Sequence, residues 1–104
     1  MYAVVRTYSG EGAKDVFDTV ERLADEVQEL IGGTPGFVSY TAVRTGDGGV
    51  TVTVCQDKAG ADDSSRRAAG FLKDKLIGTP PAPTISEGRT VLRFTAGDRA
   101  GAHA

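Results

Sequence analysis

Thr34-Pro35-Gly36-Phe37 is the stretch that separates a long helical pattern from a pair of strands. Pro35 disfavours helical geometry at the residue before it, so the helix must end there. On the N-terminal side, apolar side chains recur at three-and-four spacing through residues 13–31, which predicts one amphipathic helix. On the C-terminal side, residues 36–45 and 49–56 are extended runs joined by Gly46-Asp47-Gly48, a sequence that favours a tight antiparallel hairpin.

The segments on either side of this centre supply one strand, one helix and a final strand. Residues 2–8 are rich in β-branched and aromatic side chains, which predicts the first strand. Asp57 is a candidate N-cap for a second helix, whose apolar stripe is Ala61, Ala68, Ala69, Leu72 and Leu76. Prolines at 80, 81 and 83 predict a stiff connector to a last strand, which is predicted from Ile85, Val91, Leu92 and Phe94.

The predicted order β-α-β-β-α-β defines an α+β fold of the ferredoxin-like type. Right-handed crossovers place both helices on one face of a four-stranded antiparallel sheet. We expect one domain over residues 1–95. Residues 96–104 contain no large apolar side chain that would offset the entropy of ordering them, so we expect a disordered C-terminal tail there.

Composition narrows the classes of partner and cofactor. The 104 residues include 12 basic and 14 acidic side chains, well interspersed, with a formal net charge of -2. This balance gives no electrostatic reason to expect a nucleic acid or an anionic membrane. The single cysteine, Cys55, and the single histidine, His103 in the tail, exclude an internal disulfide and a Cys/His zinc site. We therefore expect no metal, no cofactor, no membrane span and a cytoplasmic location.

Both faces of the predicted strands carry apolar or small side chains. Tyr2, Val4, Arg6 and Tyr8 alternate with Ala3, Val5 and Thr7, and Val50, Val52 and Val54 alternate with Thr51, Thr53 and Cys55. The two helices cover only one face of the sheet. Exposure of the apolar side chains on the other face to water is unfavourable. We therefore expect a two-fold homodimer whose two sheets face each other and enclose an amphiphilic cavity.

Three segments of the chain resemble the antibiotic biosynthesis monooxygenase domain, a dimeric α+β barrel. They are Thr34-Pro35-Gly36-Phe37-Val38-Ser39-Tyr40, the strand end Val52-Thr53-Val54-Cys55-Gln56-Asp57-Lys58, and Ala68-Ala69-Gly70-Phe71-Leu72-Lys73. The similarity extends over about residues 2–95. It implies a barrel cavity, a homodimer and a small hydrophobic or aromatic ligand. Members of that superfamily oxidise polyketide quinol precursors without a cofactor, degrade haem or have roles that are not known.

Haem degradation is disfavoured for this chain. The haem-degrading members require an Asn, a Trp and a His, whereas this sequence has no Asn, no Trp and only His103. Many relatives carry a Trp at the end of the third strand, where this chain has Cys55.

The catalytic candidates are Tyr8, Tyr40 and Arg93. Tyrosine hydroxyls donate hydrogen bonds to a phenolic or quinone ligand, and an arginine stabilises the ligand anion that reacts with dioxygen. The competing interpretation is that the tyrosines pack in the core and the arginine lies at a solvated strand end.

The candidate cavity-lining residues are Arg6, Thr53 and Cys55. For Cys55, a reactive thiol near a helix N-terminus competes with a buried inert thiol. For Arg6, a solvated position at a strand end competes with the cavity.

Two functions fit these features. One is a cofactor-independent monooxygenase acting on an aromatic or polyketide-type small molecule. The other is a non-catalytic dimeric protein that binds a small ligand or assists another protein.

Overall fold

The computed structural model describes residues 1–97, which form a four-stranded sheet with its helices on one side. The strands are β1 (Tyr2–Tyr8), β2 (Phe37–Thr45), β3 (Gly48–Cys55) and β4 (Thr84–Arg89). The helices are α1 (Ala13–Arg22), α2 (Ala24–Gly32) and α3 (Lys58–Lys75). The strand order is β2-β3-β1-β4 with antiparallel neighbours throughout. The predicted ferredoxin-like α+β class is confirmed.

The stretch at residues 34–37 forms a β-turn that joins α2 to β2. The Phe37 N–H donates to the Thr34 carbonyl at 3.0 Å, and Gly36 has φ 78°, the positive value that the third position of a type II turn requires. The Gln56 N–H donates to the Gly36 carbonyl at 2.8 Å. This bond ties the start of β2 to the end of β3.

The strand register separates the side chains into two faces. Val4, Arg6 and Tyr8 are buried and lie on the face that the helices cover, which we call the helix-side face. The opposite, open face carries Ala3, Val5, Thr7, Thr41, Val43, Val50, Val52 and Ser86. The helix-side core joins Tyr8 to Phe17 and Leu72, and the two aromatic rings meet edge to face with centroids 5.9 Å apart.

The first helical segment is not one straight helix as predicted. Leu23 separates α1 from α2 and has φ -112° and ψ 34°. The hydrogen bonds continue across the break, since the Leu23 N–H donates to the Thr19 carbonyl and the Val27 N–H to the Leu23 carbonyl. The segment is therefore a bent helix, with α1 packed on β3 and α2 on β2. The bend lets one apolar stripe follow a twisted sheet.

The second helix begins where the sequence predicts. The Asp57 carboxylate accepts a hydrogen bond from the Gly60 N–H at 2.9 Å, which confirms the N-cap. Among residues 1–97, no helix is long and apolar enough to cross a membrane.

The last strand is shorter than predicted. β4 ends at Arg89, and the Thr90 N–H makes one further bond to the Met1 carbonyl at 2.9 Å. Val91, Leu92 and Phe94 lie outside the strand and are 82%, 76% and 59% exposed. Most of the predicted tail, residues 98–104 including His103, lies outside the described residues.

Candidate functional site

Arg6 lies at the centre of a buried polar cluster on the helix-side face. Its Nη1 donates to Thr53 Oγ1 at 2.9 Å and to Thr51 Oγ1 at 3.4 Å. Its Nη2 donates to Ser64 Oγ at 2.9 Å and to Ser65 Oγ at 3.0 Å. The side chain is only 1% exposed, and within the described part of the chain its Nε has no hydrogen-bond partner. We call these five residues the Arg6 cluster.

Three elements bring the Arg6 cluster together. Arg6 on β1 lies directly opposite Thr51 on β3, and Thr53 follows two residues along the same face. Ser64 and Ser65 come from the second turn of α3. The Ser64 hydroxyl also donates to the Ala61 carbonyl at 2.6 Å, so its lone pairs are free to accept from the guanidinium.

No carboxylate among residues 1–97 accepts a hydrogen bond from the guanidinium. Burial lowers the pKa of Arg6, and the nearby Tyr8, Tyr40, Cys55 and Glu87 groups act in the opposite direction. An arginine nevertheless stays protonated in proteins. The Arg6 cluster is therefore a fixed positive charge in a region that is otherwise apolar or hydroxylic.

Tyr8 and Tyr40 lie on the same face as Arg6. Tyr8 is 4% exposed, and Tyr40 is half-buried opposite Thr53. Within residues 1–97, neither hydroxyl has a hydrogen-bond partner. Burial raises the pKa of both phenols, and the Arg6 charge partly opposes that rise. The structure thus brings the two predicted tyrosines to the predicted cavity residue Arg6, with both hydroxyls available.

We expect both tyrosines to ionise above the ordinary pKa of 10.0, because burial disfavours the phenolate. A raised folded-state pKa gives stability that is present below the unfolded pKa and is lost as the pH rises through the folded value. The free energy of unfolding should therefore fall as the pH increases beyond about 10. Phenolate absorbance during a pH titration measures the ionisation. Tyr8→Phe and Tyr40→Phe should each remove one of the ionisation steps at high pH. Titration of either tyrosine at or below the ordinary value would contradict this expectation.

A groove between α3, β1 and β4 gives access to the Arg6 cluster. Its volume is about 490 Å³, and its lining includes Arg6, Tyr8, Ser65, Leu72, Pro81 and Ile85. We call it the α3–β4 groove. Its volume falls within the range of about 300–1,000 Å³ that small-molecule sites occupy. A separate cavity of about 20 Å³, enough for about one water molecule, lies under the helices and is lined by both Tyr8 and Tyr40.

Three of the predicted site residues lie elsewhere than expected. Thr53 is fully buried beneath Arg6 and accepts its hydrogen bond. Cys55 has no exposed surface, and burial raises the pKa of its thiol, so the thiol stays protonated and unreactive. Arg93 lies beyond the end of β4 and is exposed, so the expectation that it reaches the cavity from a strand is wrong.

The position of the cavity also differs from the prediction. Arg6, Tyr8 and Tyr40 lie between the sheet and the helices, so a cavity enclosed by two facing sheets does not contain them. Valine and small hydroxyl side chains cover the open face instead. That face has the chemistry of a packing surface, not of a polar site.

Three residues of the Arg6 cluster, Thr51, Ser64 and Ser65, are not predicted as site residues from the sequence. The two serines fall six and seven residues after the helix start at Lys58, on a helix with few large apolar side chains. A polar pair on the face that should contact the sheet is the signal that would have indicated a buried polar partner on β1 or β3.

Together, the sheet order, the Arg6 cluster and the groove define a ferredoxin-like α+β protein with a ligand-sized site between its sheet and its helices. Comparison with solved structures finds oxygenases among the proteins of similar fold. A monooxygenase from the ActVA-Orf6 gene of Streptomyces coelicolor, solved with nanaomycin D, is 26% identical, with 90% of this chain and 92% of that chain covered and a TM-score of 0.53.

Two further structures share the fold at lower identity. SnoaB, a cofactor-independent oxygenase from Streptomyces nogalater, is 20% identical, with 91% of this chain and 95% of that chain covered and a TM-score of 0.56. A dimeric ferredoxin-like protein from an uncultured marine organism is 12% identical, with 90% of this chain and 95% of that chain covered and a TM-score of 0.61. No family model and no curated protein sequence matches this chain. The structures that it resembles confirm the fold that the likeness to the antibiotic biosynthesis monooxygenase domain implies.

Proposed function

We propose that this protein is a cofactor-independent monooxygenase that acts on an aromatic or polyketide-type small molecule between its sheet and its helices, where Arg6 and Tyr8 line the α3–β4 groove and Tyr8 and Tyr40 line the small cavity beside it. The observation that carries the proposal is the group formed by Arg6, Tyr8 and Tyr40, a buried positive charge beside two phenols without partners. The likeness to two oxygenase structures supports it.

The residues suit a reaction that passes through a substrate anion. A phenol or enol that loses its proton becomes electron-rich enough to reduce dioxygen, and Arg6 lowers the free energy of that anion in a region of low dielectric. The tyrosine hydroxyls donate hydrogen bonds that orient the substrate oxygens. In the net reaction, an activated methylene and O₂ give a carbonyl and water, so the substrate supplies all the electrons.

We expect Tyr8→Phe and Tyr40→Phe each to lower kcat/KM for a hydroxyanthrone by about 10- to 100-fold, because each removes one hydrogen bond to the developing anion. Oxygen consumption measures the rate. The matched control is Tyr2→Phe, since Tyr2 lies on the same strand but its hydroxyl bonds to Glu87 at the surface. Wild-type rates in a Tyr8→Phe, Tyr40→Phe double variant would exclude the proposed site.

The second candidate is a dimeric protein that binds a small ligand without catalysis. It is favoured by the lack, among residues 1–97, of a metal-binding group of His, Cys, Asp or Glu, and by the unreactive state of Cys55. Native mass spectrometry of the protein from its own host separates the two functions. A copurified small molecule that causes no oxygen uptake would favour binding alone.

We also propose that the protein is a homodimer joined through its open sheet face. Val5, Val50 and Val52 form a contiguous apolar strip there, and one of the structures of this fold is itself dimeric. The helix-side site of each protomer stays separate from that interface. The cytoplasmic location stays a prediction from the single cysteine and the composition.

A further inference from the structure

Among residues 1–97, every hydrogen-bond acceptor of the Arg6 guanidinium is a neutral hydroxyl. The acceptors are Thr51, Thr53, Ser64 and Ser65. No ion pair among residues 1–97 includes Arg6, although the surface of the same region carries many. Arginine is almost never fully buried without a charged partner, because an uncompensated buried charge costs several kcal/mol. The folded chain therefore holds a positive charge that an anion from outside would balance.

The unused donor of Arg6 shows how such an anion is placed. The Nε–H and one N–H of Nη2 lie on the same edge of a guanidinium and match the two oxygens of a carboxylate. Nε has no hydrogen-bond partner among residues 1–97, and Nη2 donates both to the buried Ser64 and to the half-buried Ser65. A carboxylate that accepts from Nε and Nη2 must therefore displace one of these two hydroxyls, and Ser65 is the one that lines the groove.

The surroundings of that edge define the rest of the ligand. Arg6 and Ser65 line the α3–β4 groove together, and Ala68, Leu72, Pro81 and Ile85 supply much of its remaining wall. These walls favour an apolar body, and one unpaired guanidinium balances one negative charge. Lys73 at the rim is the other cation of the groove and is exposed.

We propose that the α3–β4 groove binds a compact aromatic monocarboxylate whose carboxylate lies on the Nε–Nη2 edge of Arg6. The inference rests on the proposed position of the site in this groove, but it requires no oxidation. The proposed ligand of the site is therefore a small organic acid.

The test compares 1-naphthoate with 1-naphthamide, which have nearly the same size and differ in charge, by calorimetric titration of the full chain. We expect naphthoate to bind wild type at least about tenfold more tightly, since hydrogen bonds between charged groups in a buried site are markedly stronger than those between neutral groups. Arg6→Met should abolish that preference and leave naphthamide binding within a few-fold of wild type. Ser65→Ala should retain the preference, because Nε and Nη2 remain.

Lys73→Met is the matched control, because it removes the exposed cation of the same groove. It should leave the preference for naphthoate unchanged. Loss of the preference in Lys73→Met, equal affinity of wild type for both compounds, or binding of neither would overturn the proposal. If circular dichroism shows that Arg6→Met does not fold, the titrations of wild type, Ser65→Ala and Lys73→Met still test the proposal.

The outcome is separable from that of the proposed oxygenase activity. Naphthoate binding that depends on Arg6, without oxygen uptake by any hydroxyanthrone, leaves the acid-binding site in place and removes the monooxygenase. Oxygen uptake with no preference for naphthoate supports the monooxygenase and removes the acid-binding site.

Discussion

Gly49→Ala is expected to lower the free energy of unfolding by about 3 kcal/mol, because the added methyl group has no space on β3. A Cβ at this position would lie 2.6 Å from Cζ and 2.8 Å from Cε1 of Phe17, and it would also overlap the Val43 carbonyl oxygen. The ring cannot move freely, since it packs edge to face against Tyr8 in the buried core. Thermal unfolding followed by circular dichroism should show a decrease in Tm of more than about 10 °C.

Gly70→Ala is the matched control for this substitution. Gly70 lies inside α3, and a Cβ there would meet nothing within 4 Å. The same change should therefore stabilise the protein by about 0.5–1 kcal/mol through helix propensity. If Gly49→Ala and Gly70→Ala shift Tm in the same direction, the close packing of Phe17 on β3 is not as described.

Val5→Lys is expected to convert the proposed homodimer into monomers. Val5 lies on the open face of the central strand β1, between Val52 of β3 and Ser86 of β4. Two-fold symmetry buries two lysines in one interface, and each buried unpaired charge costs several kcal/mol. The dissociation constant should rise by roughly 100-fold or more, which light scattering coupled to size exclusion measures at micromolar concentration.

Ala42→Lys serves as the control, because Ala42 is an exposed strand residue on the helix-side face of the edge strand β2. It introduces the same side chain without placing it on the open face. A dimer that survives Val5→Lys but dissociates with Ala42→Lys would locate the interface on the other side of the sheet. A monomeric wild-type protein would remove the interface altogether.

The order of elements could be predicted because local signals mark each boundary. Pro35 and Gly36 fix a turn whose geometry only a few residues allow, and Asp57 caps its helix with its own side chain. The bend at Leu23 carries no such signal, since the apolar spacing continues through it. β4 was predicted too long because Val91, Leu92 and Phe94 have strand-forming side chains, yet no neighbouring strand pairs with them among residues 1–97.

The Arg6 cluster could be predicted only in part. An arginine in a strand normally extends to solvent, and the hydroxyls that hold Arg6 inside come from positions 45 to 59 residues further along the chain. Tyr8 and Tyr40 were candidates because of their chemistry, but the face on which they lie follows from the pairing register. That register was ambiguous, because both faces of β1 and β3 carry apolar or small residues.

The proline-rich connector at residues 79–83 affects the rate at which a ligand binds. It forms one wall of the α3–β4 groove, and the Pro81 ring lies against Gly12, where an added Cβ would be 3.4 Å from Pro81 Cδ. Because prolines restrict the backbone, this segment loses little conformational entropy when a ligand binds. Association should therefore proceed without a slow closing step, and differences in affinity between ligands should arise mainly from how fast each one leaves.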